Sequence, residues 1–385
     1  MATPPLPPSL PRSSSPTRAS ALAELRKQQE RARAALGVAH PIGGADTLAG
    51  ALGKAEQRER ESTVEGDTVY SWRFRYPRHT EELRWARTRD IIARVVPGAD
   101  EDPSYLEMIA RQAASIEVML RGEGTASPDA AASEILDRVL IGTVPGLHPD
   151  ALARRHGNHF FVLVSAGLIE FVYQAARAVV LSWKPVPAES GTAFTFHNSP
   201  AHVDEVLAAN PLPVQLLRRT LEAYLFRGLP RAVGFAPPPE NYQAPLVILT
   251  NANERFVLAH EYGHTLHDAL DIVPADGSAA AEEYTADLLA FHLAARSGDV
   301  LDGLPPNFST QGAFFVLTAL DLIRQALDLP RHGEVREDRG FVGHPPVAAR
   351  FERLRQEYLQ QVSSVDDDLS IEPALRPEPS GGETR

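Results

Sequence analysis

Residues 254–270 read ERFVLAHEYGHTLHDAL, and the way this stretch folds decides how the rest of the chain is to be read. As a helix it sets His260 and His264 four positions apart on one face, where two imidazole nitrogens can reach one Zn²⁺. Glu261 follows the first histidine, so its carboxylate reaches a water beside the ion rather than the ion itself, which suits a general base in hydrolysis. Phe256, Val257, Ala259 and Leu266 give the helix an apolar backing. Gly263 costs a helix about 1 kcal/mol relative to Ala, and so implies a packing reason such as close approach of another element. The competing reading is a chance HExxH on an ordinary amphipathic helix, in a chain that holds 13 histidines.

A third ligand separates these readings, because a catalytic zinc usually takes three protein side chains. Metzincin spacing requires a histidine six residues after His264, and position 270 is Leu. Downstream, AAAEEYTADLLAFHLAA (279–295) reads as a second helix that begins after the turn-like run at 274–278. Glu283 and Asp287 lie four apart on one face of it, among Ala286, Leu289, Ala290 and Leu293. Carboxylates facing a core are costly unless they meet a cation or a donor. Glu283 is therefore the expected third ligand, and Asp287 the acceptor for the other ring N–H of a ligand histidine. Glu282 is the competing candidate, about 100° round the helix, and lacks the four-residue spacing to Asp287.

HEYGH (260–264) followed, nineteen residues after its last histidine, by EYTAD (283–287) resembles the gluzincin metallopeptidases. In that group a downstream glutamate completes the zinc site and an aspartate one turn later supports it. The run VILTNANERFVLAHEYGHTLH (247–267), read as a strand leading into the helix, is similar to the soluble metallopeptidases that cleave phage repressors and stress-response regulators. EYTAD and the later GHPPVAARFERL (343–354) look more like the family of the prenyl-protein and heat-shock membrane proteases. The resemblance covers about residues 155–355, is specific at three short motifs, and departs from the membrane branch in having no transmembrane helices. It implies that the HPP element sits beside the metal. His344 would then hydrogen-bond the tetrahedral oxyanion, and Arg350 would hold the helix or a substrate carbonyl. A surface histidine at a helix start is the plainer alternative, with Pro345 and Pro346 well placed at that start because their missing N–H groups are not needed there. A tyrosine from 184–245 is a second candidate for the oxyanion, whereas Tyr262 and Tyr284 neighbour ligands on their helices and point elsewhere.

The chain has 385 residues, of which 43% are apolar, enough for one large or two ordinary domains. Its net charge of −12, with acidic residues dispersed, argues against a dedicated nucleic-acid surface. There is no cysteine, so any metal must be held by His and carboxylate, and a reducing compartment, the cytoplasm, is expected. A His₂Glu set also accepts Mn²⁺, Fe²⁺, Co²⁺ or Ni²⁺.

Along the chain, residues 1–20 are rich in Pro and Ser without an apolar segment, and read as a disordered leader, with an organelle-transit segment as the alternative. Residues 21–36 predict a charged, solvated helix, and HPIGGADTLAGALG (40–53) a breaker-rich connector. TVYSWRFRY (68–76) alternates as a strand, and helices are expected near 80–96, 104–121 and 129–141. An apolar strand at 160–164 then leads to a long apolar helix ending near 183. Glu170, Gln174 and Arg177 interrupt that helix on one stripe, which favours a buried core helix over a membrane span. Either this segment or VILT (247–250) would offer a sheet edge along which an extended peptide could lie. Proline-rich 184–245, with one helix at about 201–226, is expected as an irregular insertion, a lid or a passive excursion. A helix is expected at 311–327, another from Pro345 onward, and a disordered acidic tail from 363 to 385.

The expectation is thus an α+β, mostly helical chain with a zincin-like active-site helix and a small sheet beside it. A helical region spans 21–150 and a metallopeptidase domain 151–362. It would hold one Zn²⁺ through His260, His264 and Glu283, and use Glu261 as base on a polypeptide substrate, without nucleic acid or a transmembrane segment. The rivals are a metal-binding regulatory or interaction protein with little turnover and a toxin or effector peptidase. The presence of Glu261 favours an enzyme.

Overall fold

In the computed structural model the described residues are 17–35, 63–65, 68–70, 75–95, 102–122, 130–145, 151–187, 194–227, 238–272, 278–302, 306–334 and 344–368. Residues 1–16 of the leader, the connector at 40–53 and the acidic end of the chain beyond 368 lie outside them, whereas 18–20, expected in the disordered leader, form the first turn of a helix. The chain begins with helix α1 (Arg18–Ala35), then three short strands, β1 (Thr63–Glu65), β2 (Thr68–Tyr70) and β3 (Arg75–Pro77), paired antiparallel in order. The single strand expected at 68–76 is thus two strands of that sheet. Helices α2 (Arg78–Val95), α3 (Pro103–Leu120) and α4 (Ala130–Leu136) follow. Asp102 caps α3, its carboxylate accepting from Ser104 N at 2.9 Å, and Pro103 takes the first turn where no N–H is needed.

The helix expected to reach 141 stops at Leu136, and VLIGTV becomes strand β4 (Val139–Val144). The run is β-branched and buried nearly throughout, as a parallel strand covered on both faces must be. It pairs parallel with β6 (His159–Ser165), whose other side takes β5 (Ala151–His156) antiparallel, giving the order β4-β6-β5. The strand expected at 160–164 is therefore the central one, and the edge beside it is ALARRH. Gly157 and Asn158 join β5 to β6 in a two-residue turn with Gly157 at φ 61°, where glycine carries no steric penalty. Helix α1 packs on this sheet through Ala21, Leu25 and Gln29, all buried, and Gln29 donates to the Thr143 carbonyl at 3.0 Å. The expectation of a solvated helix is corrected here: its apolar stripe is one residue wide per turn and hidden in a charged composition.

Helix α5 (Ala166–Leu181) is a buried core helix, with Glu170, Gln174 and Arg177 also buried. The proline-rich insertion is more regular than expected. It holds the hairpin β7 (Lys184–Pro187) and β8 (Phe194–His197), then α6 (Pro200–Ala209) and α7 (Leu212–Arg227). One helix becomes two because Pro211 disfavours helical backbone at Asn210, which is extended and caps α7 by accepting from Leu212 N at 3.0 Å.

A short 3₁₀ turn (Glu240–Tyr242) leads into α8 (Gln243–Ala269). VILT is therefore helical, not a strand. Leu246, Leu249, Asn253, Phe256 and His260 are buried at three- and four-residue spacing, and this packing overrides the β-branched local preference of Val247 and Ile248. Helices α9 (Ala279–Asp302), α10 (Pro306–His332) and α11 (Val347–Asp368) complete the chain, so the last helix runs into the tail expected to be disordered from 363. The fold is mostly helical with small sheets. No described helix is long and apolar enough to cross a membrane.

Helix α8 is the axis of the packing, with α9, α10, α3, α5, β5 and β6 around it. Helix α10 approaches it at Gly312, where a Cβ would stand 2.2 Å from the Ala252 carbonyl oxygen. On the side of α3 a buried charge network ties the layers. Arg94 Nη2 donates to both oxygens of Glu117 at 2.8 Å, Arg121 Nη2 donates to Glu117 at 3.2 Å, and Tyr262 Oη donates to Glu117 at 2.9 Å. Arg94 also donates to the Leu136 carbonyl, and Arg121 to Asp137 at 2.7 Å. Burial first, and then the Glu117 charge, push the Tyr262 hydroxyl well above its ordinary pKa, so it stays a donor. Removing the central anion leaves two buried guanidinium groups short of a counter-charge. Glu117→Gln should lower folding stability by about 3–5 kcal/mol in urea titration, and Tyr262→Phe by about 1 kcal/mol. Unchanged midpoints would contradict the network's role.

Glu254, one helical stripe below Glu261, faces a cavity of about 20 Å³ walled by Ile109, Val164, Leu168, Val172, Val257 and Leu258, room for one water. Burial, reinforced by the Glu107 charge and partly offset by Arg111 and Arg255, pushes its carboxyl up to about 8. The folded state keeps this proton up to about pH 8 while an unfolded chain releases it near 4.5. Its contribution to stability is complete below 4.5 and is lost as pH rises to about 8. Glu254→Gln should flatten that decline and melt higher than wild type at pH 9, as read by circular dichroism. Parallel pH profiles would refute the assignment.

Candidate metal centre

The site is made where α9 crosses α8 at Gly263. A Cβ on Gly263 would lie 3.0 Å from Ala286 Cα, so only glycine lets the two helices come this close. That contact sets Glu283, three residues before Ala286, and Asp287, the residue after it, against His260 and His264. Nitrogen and carboxylate donors of His260, His264 and Glu283 lie within 4.8 Å of one another and could hold a metal ion.

The separations test the fit. Zinc at about 2.0–2.1 Å from each donor in a tetrahedron requires donors roughly 3.3–3.4 Å apart. The two Nε2 atoms face each other at 3.1 Å, His264 Nε2 lies 3.3 Å from Glu283 Oε1, and His260 Nε2 lies 3.4 Å from Glu283 Oε2. Two imidazole Nε2 atoms turned on one point with a carboxylate could share a cation there.

Both rings are held from behind. His260 Nδ1 lies 3.0 Å from Asp287 Oδ1, off the line of a strong hydrogen bond, and His264 Nδ1 is hydrogen-bonded to Glu282 Oε1 at 3.1 Å. Arg350 donates to both Asp287 oxygens at 2.7 Å, and its Nη1 stands 3.8 Å from Glu283 Oε2. Arg350 is buried, so of its two expected roles the geometry gives it the holding of Asp287 and α11, not a substrate carbonyl. His344, just ahead of α11, is partly exposed with Nδ1 2.8 Å from Glu283 Oε2. Tyr262 turns away to Glu117, and Tyr284 lies under the Arg353 guanidinium at 4.9 Å.

The electrostatics agree with a cation site. Burial opposes the charged form of His260, but Asp287 and Glu283 outweigh it and carry the ring up to about 9. His264 is raised for the same reasons, burial being overcome by Glu283. Burial would raise Glu283, yet His260, His264 and His344 hold it well below the carboxylate range, and Arg350 and His260 hold Asp287 low against its burial. A field that draws protons onto both imidazoles draws a divalent cation to the same point.

The cluster opens into a cleft of about 380 Å³. Its lining includes β5, Phe160, Glu261, His264, Thr265, Asp268, Glu282, Glu283 and His344. Glu261 thus faces the cleft beside His264, while His260 is not part of its lining. Arg155 pins β5 to the end of α8, its Nη1 donating to Asp268 Oδ1 at 3.1 Å, and its guanidinium also covers the Phe160 ring at 5.8 Å. None of the described residues of 184–245 lines the cleft. Tyr224 packs on Phe171, and Tyr242 donates to the Trp183 carbonyl at 3.3 Å, so neither serves as an oxyanion donor and the lid reading gains no support.

Two features escaped the sequence reading. Glu282, weighed as a rival ligand, instead holds the second histidine, and ALARRH is the strand beside the site. The Gly-Asn pair between His156 and His159 was the available hairpin signal. Comparison with protein-family models, with curated proteins and with solved structures gives no match. If these carboxylates hold the rings, Asp287→Asn and Glu282→Gln should each weaken zinc binding in competition titration, by about 10–100-fold. Wild-type affinity in both variants would contradict the assignment.

Proposed function

We propose that the protein is a zinc-dependent endopeptidase with a gluzincin-like, zincin-type site. The observation that carries the reading is the donor set of His260, His264 and Glu283, whose separations suit tetrahedral coordination. Zinc held there supplies Lewis-acid polarisation of a carbonyl and acidifies water.

The chain's own residues divide the rest of the work. Glu261 follows a ligand on α8 and faces the cleft, placed to take a proton from the attacking water and deliver it to the leaving amine. His344, oriented against Glu283, is placed to donate to the oxygen on which negative charge develops. Asp287 and Glu282 fix the ligand rings, and Arg350 fixes Asp287. Strand β5 pairs with β6 alone among the described residues, so its other edge offers main-chain groups to an extended polypeptide.

Zinc-loaded wild type incubated with unfolded polypeptides should generate new amino termini, detected by mass spectrometry. Glu261→Gln should retain zinc and lose about 10²–10⁴-fold in rate. Equal rates for the two proteins, or no cleavage by zinc-loaded wild type, would overturn the reading.

A further inference from the structure

The cleft wall formed by β5 carries side-chain information as well as main-chain groups. Alternate residues of a strand face opposite ways, so Ala151, Ala153 and Arg155 share one face and Leu152 and Arg154 the other. The first face is spent: Ala151 packs on the core, and Arg155 is committed to Asp268. On the second, Leu152 is 45% exposed and Arg154 is exposed, and both line the cleft. An exposed Leu and an exposed Arg two positions apart on an open sheet edge form a pattern that an added strand would read.

Among the described residues that line the cleft, the other charges have partners. Asp268 accepts from Arg155, Glu282 from His264, and Glu283 is shared by His260, His264 and His344. The Arg154 side chain has no hydrogen bond, ion pair or ring contact among the described residues. Among the described residues it is the cleft cation left for a ligand to meet.

Resting on the peptidase reading, we propose that the cleft selects extended polypeptide segments with an acidic side chain opposite Arg154 and an apolar one two residues away opposite Leu152. Directly opposed cross-strand pairs bring Cβ atoms to about 4.5–5.5 Å, close enough for a carboxylate to meet the guanidinium and for an apolar side chain to cover Leu152. Lysine at the same place would set like charges face to face.

Zinc-loaded Glu261→Gln protein separates recognition from turnover. Fluorescent ten-residue peptides, degenerate except for a central Leu-x-Glu or Leu-x-Lys and their reversed forms, serve as probes in anisotropy titrations. The reversed forms are needed because an added strand can run in either direction. The Glu sets should bind about fivefold tighter than the Lys sets. Adding Arg154→Ala should abolish the difference, and Arg154→Glu should invert it, while Leu152→Ser should weaken all sets that carry leucine. Because both side chains are exposed, these variants should keep the wild-type melting temperature. Equal binding of the Glu and Lys sets, or a preference unchanged in Arg154→Glu, overturns this proposal while leaving hydrolysis by wild type intact. Arg154-dependent binding without cleavage by zinc-loaded wild type overturns the peptidase reading instead and leaves the selectivity standing. Absence of binding by every set overturns the proposal outright.

Discussion

The absence of a side chain at Gly263 is the constraint on which the site depends. It lets α9 rest on α8 with Ala286 almost against the helix backbone, and the neighbouring positions of α9 are then the ones that meet the two histidines. A wider crossing would carry Glu283 away from both Nε2 atoms and Asp287 away from His260. The helix gives up about 1 kcal/mol of propensity at that glycine and gains a four-residue arrangement of donors that neither helix could present alone.

A helix bearing buried imidazoles and carboxylates also has to be kept from turning about its axis. Tyr262 lies between the histidines in sequence and on the opposite side of α8 in space, and its hydroxyl is bound to Glu117, which is held by Arg94 and Arg121. The N-terminal helices therefore reach the site through that hydroxyl, and the part of the chain with the least recognisable sequence sets the rotation of the part with the most. Arg350 performs the matching task from α11 by gripping Asp287. The candidate ligands sit between two arginine–carboxylate clamps, one on each side, whose partners come from four different helices.

Much of the centre could be read from the sequence because its spacing is local. His260 and His264 on one turn, and Glu283 and Asp287 on another, are helical repeats of four, and a carboxylate facing small apolar residues has few other uses. What was illegible depends on tertiary contact. VILT has β-branched residues and looks like a strand, but Leu249 within it, with Leu246 before it and Asn253 after it, continues the burial pattern of the helix that follows. The helix expected at 129–141 ends early because the buried β-branched run from Val139 belongs to a parallel pair whose partner, Phe160, lies twenty-one residues on. Glu282 and Glu283 could be ranked by spacing alone, but that Glu282 would hold His264 follows only from the rotation of α9. ALARRH is not legible as an edge strand because it mixes small, apolar and basic residues, as a strand with one open edge and one half-covered face does.

The central claim is that His260, His264 and Glu283 bind one metal ion. Elemental analysis of the purified protein, with His264→Ala, Glu283→Ala and Glu261→Gln measured beside it, tests this most directly. One zinc per folded chain, lost in the first two variants and kept in the third, is the result the account predicts. A folded wild type without stoichiometric metal after incubation with zinc, or one whose zinc survives loss of His264 and Glu283, would contradict it.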